Sequence, residues 1–217
     1  MVITYHGGEF FKVSFGDTTL AFNPISKDSK LKSAKFGSDI VLISLQDPDM
    51  NGVDNASFGD REPFVISSPG EYEVKDIVVK GFASESGYKS GKRQNTIYFV
   101  TLEGMNLCFL GALSTANLPQ EATQAMEDID ILFLPIGGGG VLDHAEAYKL
   151  SVKLGAHIII PMHYPNPADG QAAMGAKDAL RHFLKEAGAE GTKSVEKLTL
   201  KKKDLEGKEG EVVVLSS

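Results

Sequence analysis

The sequence predicts an α+β protein in which two mixed β-sheets pack together and helices lie outside them. Three observations support this fold class. The first half is rich in short β-favouring runs. The second half alternates apolar strands with helical patterns. Neither a linker-like composition nor an internal repeat divides the 217 residues, so we expect one domain spanning residues 1–217.

The first half is predicted to be mainly β-structure. Glycine-containing turns such as Gly7-Gly8 and Gly16-Asp17 separate runs of β-branched and aromatic residues, which is typical of hairpins. The exception is segment 27–36, where we predict a short helix. Strand 39–44 lacks alternation of polar and apolar residues, so we expect both of its faces to be buried. The predicted strands are 3–5, 10–15, 19–22, 39–44, 63–67, 71–83, 96–101 and 105–110.

The second half is predicted to alternate helices and strands. Helical spacing covers 119–128, 143–154 and 172–187, and the strands are 130–135, 157–161, 195–200 and 211–215. The helix at 143–154 has the clearest boundaries. Asp143 is suited to its N-cap, Glu146 to the capping box and Gly155 to its end.

Composition excludes several classes of protein. The formal net charge of -7 repels phosphate backbones, which argues against nucleic acid as a partner. No apolar run reaches the roughly 18 residues of a membrane span, and the N-terminus does not resemble a signal peptide. Cys108 is the single cysteine, so no intrachain disulfide can form. We therefore expect a cytoplasmic protein that does not bind membranes.

Polar residues collect where the predicted buried strands end, which is where α/β proteins usually place their sites. Strand 39–44 runs into "QDPDMNG", which contains Asp47 and Asp49, and strand 157–161 runs into His163. One interpretation is an oxygen-rich Mg²⁺ or Mn²⁺ site formed by these three residues. The other is an Asx-type turn around Pro48, in which the carboxylates accept backbone N–H groups. The sequence leaves both open.

Several segments together resemble the metallo-β-lactamase superfamily. The similarity is closest to its branch of small metal-dependent hydrolases that includes L-ascorbate-6-phosphate lactonase. The matching segments occur in the family's order: "ITYHGGEFFKV", "SSPGEYEVKDIVVKGFA", "GKRQNTIYFV", "LCFLGAL", "LPIGGGG" and "IIIPMHY". The resemblance implies a four-layer αββα sandwich, and the branch implies a homo-oligomer.

The same resemblance implies that most metal ligands are replaced. The family's "THxHxDH" motif aligns with "VLISLQDPDMNG". Asp49 matches the motif's aspartate, His163 matches a later ligand histidine, and Asp47 stands at a histidine position but could still bind through oxygen. Leu45 and Met50 replace histidines, and Ala112 replaces the bridging aspartate. Three further positions depart from the branch's pattern: Gly8, Asn23 and Phe109.

These replacements predict the loss of dinuclear zinc hydrolase chemistry. A catalytic zinc usually needs three protein ligands and an open position, and a two-metal hydrolase needs two such sets about 3.5–4 Å apart. We therefore expect no cofactor, and a protein that acts by binding a small anionic ligand or a partner. The expected cleft residues are Leu45, Met50, Ala112, Gly138 and Gly139.

Two alternatives remain from the sequence. In the first, Asp47, Asp49 and His163 hold a single, weakly bound Zn, Mn or Mg ion, with Asp49 and His163 catalytic. The substrate would be a lactone, a phosphoester or a similar anionic molecule. In the second, the cleft is filled and the domain serves as an interaction surface.

Two loops carry further expectations. Gly137 to Gly140 could cradle a phosphate, although Asp143 would compete with an anion for the following helix terminus. Lys89, Lys92 and Arg93 could form a mobile basic loop that gates a cleft, or a solvated hairpin tip.

Overall fold

The computed structural model describes residues 1–59, 62–89, 91–165 and 174–217. Over these ranges the chain forms 13 strands, three α-helices and short 3-10 turns. The strands are β1 (Val2–Tyr5), β2 (Phe11–Phe15), β3 (Thr18–Phe22), β4 (Ile40–Leu42), β5 (Phe64–Ile66), β6 (Gly70–Val74), β7 (Ile77–Ser86), β8 (Arg93–Leu102), β9 (Met105–Phe109), β10 (Ile131–Pro135), β11 (Ile158–Met162), β12 (Leu198–Thr199) and β13 (Glu211–Val212). The helices are α1 (Gln120–Ala125), α2 (His144–Leu154) and α3 (Ala179–Glu186).

The strands form two mixed sheets. The first sheet has the order β12-β1-β2-β3-β4-β5, antiparallel from β12 to β3 and parallel from β3 to β5. The second has the order β13-β11-β10-β9-β8-β7-β6, parallel from β13 to β9 and antiparallel from β9 to β6. The predicted α+β sandwich of two packed mixed sheets is therefore confirmed, with few helices.

Aromatic side chains from both sheets meet in the main hydrophobic core. Phe11 and Phe22 of the first sheet face Phe109 and Phe133 of the second, and all four are fully buried. The Phe11 and Phe133 ring centroids are 4.8 Å apart, and those of Phe22 and Phe109 are 5.0 Å apart. Phe109, where the related branch often has a histidine, thus packs between the sheets.

The helix at 143–154 matches its predicted boundaries closely. The Asp143 carboxylate accepts the backbone N–H groups of Ala145 and Glu146, which satisfies donors at the start of α2. Gly155 ends the helix in the left-handed conformation at φ 64°. No described helix is long and apolar enough to cross a membrane.

Two helix predictions were wrong in whole or in part. Segment 27–36 is not helical, because serine side chains bond locally instead: Ser29 accepts the Leu31 N–H, and Ser33 donates to the Ile25 carbonyl. The helix predicted from residue 172 begins at Ala179. Residues 166–173 lie outside the described part of the chain. The backbone just after them is held by Ala176, whose N–H donates to the Gly137 carbonyl at 2.7 Å.

Candidate functional site

The strand ends of both sheets meet at one place. Asn23 follows β3 and its N–H donates to the Leu42 carbonyl, which ties it to the end of β4. Ser44 lies just beyond β4 and accepts the Thr96 N–H from the second sheet at 2.8 Å. His163 follows β11, and its N–H donates to the Gly8 carbonyl at 2.9 Å. Asn23, Ser44 and His163, which follow β3, β4 and β11, are therefore brought together at this place.

We call the first group of polar residues at this place the aspartate cluster. It consists of Ser29, Asp47, Asp49, Tyr88, Lys89 and Arg93. Asp47 and Asp49 are 5% and 6% exposed. The Asp49 N–H donates to Oδ1 of Asp47 at 3.1 Å, which forms the Asx-type turn. The turn interpretation thus holds for Asp47, whereas the side-chain partners of Asp49 are side chains from other segments.

Two cations pair with these carboxylates. Nζ of Lys89 lies 2.7 Å from Oδ1 of Asp47 and 2.6 Å from Oδ2 of Asp49. Nη1 of Arg93 lies 2.9 Å from Oδ2 of Asp47, and the same guanidinium donates to the Gln46 carbonyl. Lys89 and Arg93 are therefore bonded to the aspartates, although their side chains remain 47% and 30% exposed. Lys92 does extend into solvent, 75% exposed beside Glu85.

Hydroxyl groups complete the shell of Asp49. Ser29 donates to Oδ1, and the Tyr88 hydroxyl donates to Oδ2 at 2.6 Å. Burial and the hydrogen bond to Asp49 raise the pKa of Tyr88 far above its ordinary value, so the phenol stays neutral and remains a donor.

The charges in this cluster reinforce one another. Burial alone would raise the pKa of Asp47. The hydrogen bonds from Lys89, Arg93 and the Asp49 backbone outweigh burial and hold that pKa below its usual range. Burial alone would lower the pKa of the Lys89 ammonium. The hydrogen bonds and charges of the two carboxylates outweigh burial and raise that pKa above its usual range. Carboxylate and ammonium are therefore both charged at neutral pH.

The second group, the histidine cluster, consists of Glu9, Asn23, Ser44 and His163. A hydrogen bond of 2.6 Å joins Nδ1 of His163 to Oε1 of Glu9. Asn23 donates to Oε2 of Glu9 and to Oγ of Ser44, both at 2.7 Å. Its own Oδ1 accepts the Ser44 N–H, also at 2.7 Å. Glu9 and Asn23 are fully buried and His163 is 1% exposed, so the cluster is closed to solvent.

Backbone strain accompanies the histidine cluster. His163 has φ 58° and Asn23 has φ 44°, in the left-handed region that few non-glycine residues adopt. Such strain is retained where the surrounding structure fixes it, often at functional sites. Gly137 makes room for this backbone, because a Cβ at the glycine would overlap with the His163 carbonyl oxygen.

Tyr88 separates the two clusters. Its hydroxyl bonds Asp49, while its ring packs edge-on against the His163 imidazole with centroids 5.1 Å apart. The sequence predicted that Asp47, Asp49 and His163 come together. The structure brings the two aspartates together, and places the Tyr88 ring beside His163.

The expected cleft residues are distributed differently from the prediction. Leu45, Met50 and Ala112 are 2%, 0% and 0% exposed and belong to a second hydrophobic cluster together with Tyr88 and Met174. This placement corrects the expectation for Met50 and Ala112, since fully buried side chains cannot line an open cleft. Leu45 still borders a small depression of about 330 Å³ beside Arg93.

Side chains of the same hydrophobic cluster pack against Gly8. A Cβ at Gly8 would lie 2.7 Å from Sδ of Met174, and the glycine has φ +59°. The Met174 thioether thus fills the space that a side chain at position 8 would need.

Gly138 is partly buried and Gly139 is exposed, and both lie at the rim of the site. Their loop packs on the β7–β8 hairpin: the Gly87 N–H donates to the Gly140 carbonyl at 2.9 Å, and a Cβ on Gly140 would overlap with Gly87. Close backbone approach accounts for glycine at that position. The N-terminus of α2 is already occupied by Asp143, so its N–H groups are not free to cradle a phosphate.

A pocket of about 440 Å³ opens beside the aspartate cluster. Its walls come from four separate segments, so its shape depends on the fold and not on one loop. It is lined by Asp28, Ser29, Lys30, Leu31, Pro48, Asp49, Tyr88, Lys89 and Met174.

Glu9 is the site residue that sequence reasoning missed. It follows Gly8 directly, the position at which the family resemblance implies a histidine. An ionisable residue between Gly8 and Phe10, at the start of an apolar strand, was the available signal, because buried carboxylates need a partner.

The donor set does not fit the metal centre that this fold usually carries. Within the described ranges, no three His, Cys, Asp or Glu side chains are grouped so that they could hold an ion. The lone pairs of Asp47 and Asp49 are directed at Lys89, Arg93, Tyr88 and Ser29, and Nδ1 of His163 is directed at Glu9. Leu45 and Met50 supply no ligand for a hard cation.

Known proteins resemble the chain over most of its length. Residues 2–163 match the family model described as "Beta-lactamase superfamily domain". A UPF0173 metal-dependent hydrolase from Listeria innocua is 25% identical, with 76% of this chain and 85% of the relative covered.

Solved structures agree in fold. A Thermotoga maritima protein classed with the Zn-dependent hydrolases of the metallo-beta-lactamase superfamily has a TM-score of 0.76 at 26% identity, covering 99% of this chain and 98% of that one. Igni18, a metallo hydrolase from Ignicoccus hospitalis, has a TM-score of 0.63 at 19% identity, covering 99% and 94%. The family match and the strand topology agree, and the chain belongs to the beta-lactamase superfamily, with a metallo-β-lactamase fold.

Proposed function

We propose that this protein binds a small molecule carrying an anionic group, and that it does so without the dinuclear zinc chemistry of its superfamily. The observation that carries the proposal is that protein groups already occupy the remaining donor atoms. Lys89 bonds both aspartates, and Glu9 bonds His163.

The surrounding packing supports the loss of the metal. Without an ion, a set of buried ligands would be a group of desolvated charges, and replacing them with apolar groups can be neutral or stabilising. Leu45, Met50 and Ala112 follow that direction, and all three lie in one hydrophobic cluster. Cluster formation explains the replacements together, whereas each would need a separate reason in a working metal centre.

The pocket beside Asp49 is the proposed binding site. Its volume of about 440 Å³ lies within the range of small-molecule sites, roughly 300–1,000 Å³. The Lys89 side chain is 47% exposed, and Lys30 also lines the pocket. Leu31 and Met174 add apolar surface. Two ammonium groups beside apolar walls suit a small organic carboxylate or phosphate.

The absence of a zinc centre and the binding of an anion are tested separately, the first by metal content and the second by ligand binding. Protein purified without chelator is analysed for metals before and after exposure to Zn²⁺ and Mn²⁺. Phosphate, citrate and glucose 6-phosphate are then tested as probes by calorimetry, with and without EDTA. We expect well below one metal per chain, and binding of at least one probe that EDTA leaves unchanged. Lys30→Ala should weaken that binding roughly tenfold, the loss of about one charge-assisted hydrogen bond.

Stoichiometric, tightly held zinc with hydrolysis that EDTA abolishes would instead support the mononuclear alternative at Asp47, Asp49 and His163. A metal-free protein that binds none of the probes would contradict the ligand half and favour the interaction-surface alternative. We also expect self-association, which light scattering of the purified chain measures.

A further inference from the structure

We infer that the Lys89 ammonium is a built-in cation that takes the place of the superfamily's metal charge. The inference rests on the proposed metal-free function and assigns the group that replaces the ion.

The geometry of Lys89 is that of a bridging cation. Its Nζ lies 2.7 Å from one carboxylate oxygen of Asp47 and 2.6 Å from one of Asp49. An ammonium carries three N–H donors and no acceptor, so it can serve two carboxylates at once. A metal ion and this ammonium would need the same oxygen lone pairs, so they exclude each other.

All four carboxylate oxygens of the aspartate pair have donors. Oδ1 of Asp47 meets Lys89 and the Asp49 N–H, and Oδ2 meets Arg93. Oδ1 of Asp49 meets Ser29, and Oδ2 meets Tyr88 and Lys89. The two negative charges are therefore balanced by two positive charges of the same chain, with neutral hydroxyls filling the remaining directions.

The backbone of Lys89 itself is strained. Lys89 has φ 56°, a left-handed conformation that is unfavourable for a side chain with a Cβ. Hydrogen bonds hold the two residues before Lys89. The Gly87 N–H donates to the Gly140 carbonyl, and the Tyr88 N–H donates to Oγ of Ser86. Contacts with Asp47 and Asp49 offset the strain, which suits a residue retained for its position.

Lys92 supplies a matched control. It lies three residues away on the same hairpin, is 75% exposed, and pairs with the exposed Glu85. Replacing either lysine by methionine removes one positive charge from the same loop. The two variants therefore differ mainly in whether the aspartate pair loses its bridging ammonium.

Thermal unfolding of the full chain, with and without millimolar Mg²⁺ or Mn²⁺, tests the inference. We expect Lys89→Met to lower Tm by about 5 °C or more, and Lys92→Met by less than about 2 °C. We also expect Mg²⁺ or Mn²⁺ to raise the Tm of Lys89→Met, because two buried carboxylates then lack their cation. Wild type and Lys92→Met should not respond. Equal Tm values and equal cation responses of the two variants would overturn the inference.

A charge-balanced variant keeps the test decisive if Lys89→Met does not fold. Asp47→Asn combined with Lys89→Met removes one negative charge with the positive one, so it should be more stable than Lys89→Met and should not respond to Mg²⁺. A double variant no more stable than the single one would contradict the inference. Metal found in wild type would overturn the proposed function itself, whereas metal-free wild type with indifferent variants would overturn only the role of Lys89.

Discussion

The histidine cluster and the aspartate cluster lie on either side of Tyr88, and their polar groups find partners in different ways. In the histidine cluster, short side chains bond one another with no exposed surface: Glu9 and Asn23 are at 0% and His163 at 1%. In the aspartate cluster, buried carboxylates meet long cations whose side chains are partly exposed, 47% for Lys89 and 30% for Arg93.

This difference in exposure indicates which of the two clusters a ligand can reach. Lysine and arginine lose much rotamer entropy when they are ordered, and exposed ion pairs contribute little net stability. The Lys89 side chain is 47% exposed, so a ligand anion can approach it while it stays bonded to the aspartates. The histidine cluster offers no such route, since removing one partner there leaves a buried polar group unsatisfied. We accordingly expect the histidine cluster to contribute more to stability, and the proposed ligand to bind beside the aspartate cluster.

Removing Glu9 should give the largest effect. Glu9→Ala leaves His163 and Asn23 without their shared partner, and we expect a loss of about 3–5 kcal/mol in the free energy of unfolding, measured by urea denaturation. Glu9→Gln, which keeps the size and a carbonyl acceptor, should lose less than half as much. A loss below about 1 kcal/mol for Glu9→Ala would show that the histidine cluster is not the stable half.

Crowding His163 through its backbone should come next. In Gly137→Ala the new Cβ would overlap with the His163 backbone oxygen, so strand ends must shift, at a cost of about 3 kcal/mol. Gly139→Ala is the control, because no atom lies within 4 Å of a Cβ there and only its φ of +65° opposes the change. Equal unfolding free energies for the two variants would mean that the backbone near His163 is adaptable.

Cutting one ion pair of the aspartate cluster should have a smaller effect. Arg93→Met removes the contact to Asp47 and the donor to the Gln46 carbonyl, while Lys89 still serves both aspartates. We expect a loss of about 1 kcal/mol in urea unfolding. Lys92→Met should stay within about 0.5 kcal/mol of wild type. A loss from Arg93→Met as large as that from Glu9→Ala would erase the contrast between the clusters.

The sequence predicted most of this fold because its strands are strongly patterned. The runs at 39–44, 130–135 and 157–161 became β4, β10 and β11, and ordered family segments fixed their arrangement. The helix predicted at 27–36 does not form, because Ser29 and Ser33 bond the backbone locally and Ser29 also donates to Asp49, a tertiary contact that local propensity does not contain. The expectation of a single domain stays a prediction.

The candidate site could be predicted only in part from the sequence, because its contacts are also tertiary. Positions aligned with family ligands identified Asp47, Asp49 and His163. Their partners come from distant segments: Lys89 is 40 or more residues from either aspartate, and Glu9 is 154 residues from His163. Charge pairing at such separation depends on how the sheets pack, which periodicity does not report.

Acid titration gives the smallest effect, and it separates the two clusters by pH. The pKa of Asp47 is held below its ordinary value of about 3.9 by Lys89 and Arg93, in spite of burial. A depressed folded-state pKa stabilises the fold at pH values above the unfolded pKa. That contribution is therefore fully present above about pH 4 and is lost as the pH falls towards the folded pKa. Asp47→Asn should lose this dependence.

The measurement is Tm against pH from 6 down to 3 for wild type and Asp47→Asn. His6 contributes a separate acid loss, because burial and Lys12 lower its pKa to about 4. Stability from neutral His6 is present above about pH 6.5 and is lost as the pH falls towards 4, equally in both proteins. The two curves should therefore run parallel above about pH 4 and converge below it. High salt should narrow the gap, since Lys89 is partly exposed and screened. Curves that stay parallel to pH 3 would mean that Asp47 does not depend on its cations, and the aspartate cluster would then resemble the histidine cluster.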